Sequence, residues 1–161
     1  MLMAVGLLTV SLPAAIFPLN VARAADTPGL LANIHHHKTR TTTVTSNGDL
    51  NPYAVVLAPV SAGKIRQGDV LVDNFNNISN LQGTGTTIIA YSPATKKMNL
   101  VAQLPQKLAQ CPGGVGLTTA MTMLKSGWII VGSTPSTDGT TRTKGDGCLL
   151  VVDPKDRKSV G

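Results

Sequence analysis

Glutamate is missing from this 161-residue chain, whose eight acidic residues are all aspartates. Aromatic residues are scarce, with one Trp, two Tyr and two Phe, and there are only two cysteines, Cys111 and Cys148. The three histidines stand together at positions 35–37. Each shortage excludes something. Every histidine available to a Ser-His-Asp triad lies in one segment, and no Ser stands in a G-x-S-x-G elbow. So few aromatics leave no stacking platform for nucleic acid, and the positive charge is scattered instead of clustered, so nucleic acid is not an expected partner. No stretch after Asp26 sustains apolar residues at helical spacing over three turns, which excludes a helical bundle.

What is present argues for β structure. Thr and Val are abundant, Gly and Pro are frequent, and most aspartates stand beside a turn residue, as in Gly48-Asp49, Gly68-Asp69, Asp138-Gly139 and Asp153-Pro154. These acids read as turn punctuation before they read as catalysts.

The N-terminus is different. Positions 2–21 are uncharged and include Pro13 and Pro18, and Ala22-Arg23-Ala24 follows. An apolar stretch before an A-x-A site is the pattern of a secretory signal, so residues 1–24 are expected to be removed, leaving a mature chain from Ala25. The alternative is a membrane anchor, since the stretch approaches the roughly 20 residues that span a bilayer. Export predicts a periplasmic or secreted location, with no membrane association after cleavage. In that oxidising compartment Cys111 and Cys148 can pair, the alternative being two buried thiols.

Residues 25–49 read as an irregular arm. Its histidines alternate sides on an extended backbone, so only His35 and His37 converge, and no Cys or Asp lies close by to complete a shell. A solvated linker without metal is expected. The "DNFNN" segment at 73–77 has a calcium-like spacing, but Phe75 stands where a ligand oxygen belongs, and turn formation explains the same residues.

The rest of the chain repeats itself. Gly68-Asp69-Val70-Leu71-Val72-Asp73-Asn74 matches Gly127-Trp128-Ile129-Ile130-Val131-Gly132-Ser133, and the run ending at Pro93 matches the run ending at Pro154. Upstream, "NPYAVVLAPV" matches "VGLTTAMTML". A period of roughly sixty residues marks a solenoid, propeller or array. The first unit, 50–109, is expected to be a four-stranded antiparallel meander with strands at 53–60, 69–73, 86–92 and 99–104. The second is 110–161. Continuous apolar runs predict sheets covered on both faces, as neighbouring blades cover one another in a propeller. Long loops between strands two and three, 76–85 and 135–147, are expected on one rim. Aligning Pro93 with Pro154 sets Ser159-Val160-Gly161 opposite Met98-Asn99-Leu100, so strand four of the second unit is expected to begin there, and the sequence is expected to be part of a longer propeller.

These residues carry a resemblance. "NPYAVVLAPVSAGKIRQGDVLVDNFNNISNLQGTGTTIIAYSP" and "CPGGVGLTTAMTMLKSGWIIVGSTPSTDG" resemble exported bacterial β-propeller proteins of the NHL-repeat type. The resemblance implies an all-β propeller of about six blades, of which two are written here. It implies no established reaction, and no catalytic residue is carried over. The expected function is a non-catalytic exported scaffold that binds a cell-surface polymer, a peptide or a protein, without a cofactor, through rim side chains such as Asn76, Asn80, Gln82, Thr140 and Arg142. The alternative is part of a lactonase- or lyase-like propeller enzyme whose catalytic residues lie mostly in other blades.

Overall fold

The structure is a computed structural model that describes residues 29–156 and 159–160. The expected signal sequence and its cleavage site lie outside the described residues. The chain divides into two compact units, 1–37 and 38–161. In the first, residues 29–34 form turns in which the Ala32 N–H donates to Gly29 O and the Ile34 N–H to Leu31 O. His35, His36 and His37 are exposed there, and no group of metal-ligating side chains occurs among the described residues.

The second unit consists of two antiparallel meanders. Strands β1 (Leu50–Leu57), β2 (Val70–Asn76), β3 (Thr87–Ser92) and β4 (Lys97–Gln103) form the first sheet in that order. Strands β5 (Leu117–Met123), β6 (Ile129–Ser133), β7 (Cys148–Val152) and the two-residue β8 (Ser159–Val160) form the second. The sheets do not close into a ring.

The repeat read from the sequence holds in the ladders. Val70 pairs with Tyr91 and Asp73 with Ile88 in the first sheet; Ile129 pairs with Val152 and Gly132 with Leu149 in the second. The glycine and proline alignments place these pairs opposite one another. β8 keeps the pattern as well, since Val152 faces Ser159 as Tyr91 faces Met98.

Strand one departs from expectation. β1 starts at Leu50 and stops at Leu57, with a bulge between Pro52 and Val55; Ala58 closes the ladder, its N–H donating to Asp69 O and its carbonyl accepting from the Gly68 N–H, before the chain turns. Pro52 is tolerated because β1 is an edge strand, where a missing N–H breaks no ladder on its open side. The end of the irregular arm is bonded to the first sheet. Residues 41–49 form no strand but are tied down: Thr43 O accepts from Asn74 Nδ2 at 2.8 Å, and Asp49 Oδ2 accepts from the Thr86 N–H at 2.7 Å.

Because side chains alternate across a strand, each sheet has two distinct faces. We call the face bearing Leu71, Asp73, Ile88 and Ala90 the leading face of the first sheet, and that bearing Val70, Val72, Asn74 and Ile89 its trailing face. By the repeat alignment, Ile130, Gly132, Leu149 and Val151 define the leading face of the second sheet, and Ile129, Val131, Ser133 and Leu150 its trailing face. One hydrophobic cluster unites Leu71, Ile88 and Ala90 with Leu117, Met123, Ile129, Val131, Leu150 and Val152. The leading face of one sheet therefore packs on the trailing face of the next. The sheets approach most closely at β1 and β2 against β5, converging toward their first strands.

The expected burial on both faces is met at the centre of the first sheet, where Ile88 and Ile89, on opposite faces, are both fully buried, but not on β1, where Val55 and Leu57 of the trailing face are exposed. It is not met in the second, whose leading face lies open, with Leu149 67% exposed.

A disulfide joins Cys111, in the connection between the sheets, to Cys148 at the start of β7. It closes a loop across a separation of 37 residues. Loop-closure entropy assigns such a bond about 4 kcal/mol. Replacing both cysteines with Ser is expected to lower the unfolding free energy by that order, measured by urea denaturation, and reduction of the native chain should produce the same loss.

Candidate functional site

A meander puts the connections between strands two and three at one rim and those between strands one and two at the other. Both long loops, residues 77–86 and 134–147, lie on one rim and are bonded together there. The Ser136 N–H donates to Gly83 O at 2.9 Å, and the Leu117 N–H donates to Gly85 O at 2.9 Å. Gly116 makes this approach possible, because a Cβ there would overlap the Gly83 carbonyl oxygen.

Between these loops and the inter-sheet connection lies an open cleft of about 940 Å³. Its apolar lining comes from Leu108, Pro112, Val115 and Pro135, with the disulfide through Cys111. Its polar lining comes from Asn77, Thr84, Gln106, Ser136, Thr137 and Thr143, and Lys107 is the one charged side chain. The walls are held by local bonds. The Asn77 N–H donates to Thr84 Oγ1 at 2.9 Å, Ser136 Oγ lies 2.8 Å from Thr143 Oγ1, and the Val115 N–H donates to Gln106 O at 2.9 Å. Asp138, on the outer loop, accepts from the Thr143 hydroxyl and the Thr140 N–H, and these bonds hold its carboxyl below the usual carboxylate range.

The lining contains no carboxylate and no imidazole. It offers hydroxyls, amides and one cation around an apolar floor, which suits recognition of a neutral or weakly anionic chain and not proton transfer.

Of the rim residues named from sequence, Asn80, Gln82, Thr140 and Arg142 are exposed. Arg142 lies in a single 3₁₀ turn, Thr141–Thr143. Asn76 is a correction: it is buried, and its Nδ2 donates to Asn80 Oδ1 at 2.6 Å. Its part is to hold the loop's start in place. None of the five lines the cleft. The residues that do were missed because Gln106, Lys107 and Leu108 lie in the connection between units, where repeat matching gives no signal.

The aspartates behave largely as turn formers. Asp69 Oδ2 accepts from the Arg66 N–H, and Asp153 Oδ1 from the Lys155 N–H, each at 2.9 Å. Asp73 does not. It is fully buried on the leading face of the first sheet, its Oδ1 accepts from the Ala54 N–H at 2.9 Å across the β1 bulge, and its Oδ2 has no hydrogen-bond partner. At the opposite rim, Lys64, Arg66 and Lys97 surround a smaller groove of about 450 Å³ that also includes Asp69.

Compared with known protein families, curated proteins and solved structures, the chain matches none. Among the described residues, no helix is long and apolar enough to cross a membrane.

Burial raises the Asp73 carboxyl to about 6 from 3.8, outweighing the bond from Ala54. A raised folded-state value means that stability is fully present below about pH 4 and is lost as pH rises through about 6, by on the order of 3 kcal/mol for this shift. The unfolding free energy of the wild type, measured relative to Asp73→Asn, is therefore expected to fall by that amount between about pH 4 and pH 7. A pH-independent difference would show that the buried carboxyl does not titrate in this window.

Proposed function

We propose that this protein is an exported, non-catalytic β-propeller-type scaffold that binds a polymer or peptide in the cleft at its loop rim. The observation that carries the reading is the leading-to-trailing packing of two repeated sheets, with both long loops gathered at one rim around a cleft that lacks carboxylates and imidazoles. Stacking by opposite faces is the relation between neighbouring blades, and loops on a rigid scaffold are where binding groups collect. Further sheets of the same kind would complete the ring, as the resemblance to NHL-repeat propellers implies. The Cys111–Cys148 disulfide supports an extracytoplasmic location, as does the A-x-A pattern at 22–24.

Soluble peptidoglycan fragments, which combine a glycan with short peptides, are a suitable probe. In amide-resonance titrations they are expected to shift Asn77, Lys107 and Thr137 and to leave the opposite rim unchanged. Thr137 is exposed at the cleft, so Thr137→Trp should fill the site, reducing affinity at least about tenfold without altering thermal stability. Shifts confined to other surfaces, or none, would end the cleft reading.

A second reading, a propeller-type hydrolase or lyase with a metal at its centre, has one observation in its favour: a buried acid with an unsatisfied oxygen and a raised pKa is a common feature of functional sites. If Asp73 contributes to such a centre, calcium or manganese will raise the melting temperature of the native chain, and Asp73→Asn will abolish the rise.

A further inference from the structure

The exposed apolar residues of the two sheets are not scattered. On the leading face of the second sheet, Leu149 is 67% exposed, and strand alternation adds Leu124 and Trp128 to the same side. On the trailing face of the first sheet, Val55 is 64% and Leu57 66% exposed. The inward-facing counterparts of these positions are covered. Ile88, the counterpart of Leu149, is fully buried, and Met121 and Met123, which occupy the places of Val55 and Leu57 beside the central strand, pack into the inter-sheet cluster. The protein thus contains one complete leading-to-trailing interface and, left exposed, an open leading face and the β1 margin of a trailing face whose centre, Val72 and Ile89, is already buried.

We propose that the open leading face of the second sheet docks onto the exposed β1 side of the trailing face of the first sheet in a second copy of this chain, repeating between molecules the contact that joins β5 to β1 and β2 within one. This deepens the propeller reading and rests on it for ring closure, but not for the contact itself. The internal interface is the template. The surfaces also match in charge: β5, β6 and β7 contain no charged residue, and the only one in β1–β3 is Asp73, which points to the leading side. The segment 43–49 is bonded to the trailing face at Asn74 and Thr87, while Val55 and Leu57 are exposed. Head-to-tail docking of unlike faces is favoured over pairing of like faces because the internal interface joins unlike faces. Contacts of that kind propagate head to tail until they close.

The test uses the mature chain in sedimentation experiments at micromolar concentration. Propellers of about 4 to 8 sheets would need roughly two to four copies, so a discrete species of that size is expected. Leu149→Glu and Val55→Glu each disable one face at an exposed position, so both variants should keep the native circular dichroism spectrum and sediment as monomers. Mixed in equal amounts, they should form a heterodimer and nothing larger, because one intact leading face then meets one intact trailing face. A wild-type chain that stays monomeric overturns the proposal. So does an assembly that survives Val55→Glu, which would mean that like faces pair, or a mixture that remains monomeric. Growth without limit as concentration rises would support the docking contact and refute the closed ring, separating this inference from the propeller reading beneath it.

Discussion

The structure depends on sheets that are apolar on both faces. In β2 and β3 Leu71 and Ile88 face one way and Val72 and Ile89 the other, and all four are buried. A sheet of this composition cannot use one side as its wet surface, in contrast to the alternating strands of a meander with one solvated face. It needs cover on each side. The first sheet receives the second on its leading side, while its trailing side is partly closed by the segment that includes Thr43 and Thr45.

Geometry at the rim follows from the same stacking. Sheets packed leading face to trailing face run their strands in the same order, so equivalent loops emerge side by side instead of at opposite ends. That is why the Gly83 carbonyl meets the Ser136 N–H and why a glycine is required at 116. The cleft is the space left where two loops of unequal length are bonded along one edge and the inter-sheet connection passes beneath them. The disulfide fixes that connection to β7. The site's shape is set by the joint between sheets and not by any one loop.

The residues legible in the sequence were those that the repeat writes twice. The glycines at 68 and 127 and the prolines at 93 and 154 bracket strands two and three, and their alignment reproduces the observed ladders. Strand one was read at the wrong register because bulges shift the pairing in both β1 and β5, and a bulge leaves no mark on hydrophobic patterning. The inward turn of Asn76 was hidden for a related reason. A polar residue at a strand end looks the same in sequence whether its amide faces water or holds a neighbouring loop. The cleft was the least legible part, since its lining is drawn from three separated segments.

Asp73 and Gly132 occupy the same place in the repeat, and the contrast between them shows where the two sheets diverge. At Gly132 there is no side chain; Thr118 Oγ1 donates to the Gly132 carbonyl at 3.1 Å and fills the space a Cβ would need. At the equivalent point in the first sheet, Asp73 reaches across to the Ala54 N–H, which the β1 bulge has released from the ladder. Both arrangements satisfy polar groups left over by a bulge, one with a hydroxyl from the edge strand and the other with a carboxylate from the central strand. The carboxylate is the costlier solution, because its second oxygen stays buried without a partner. A hydroxyl or an amide would serve the bulge at less cost. The carboxyl of Asp73 therefore exceeds what the bulge alone requires.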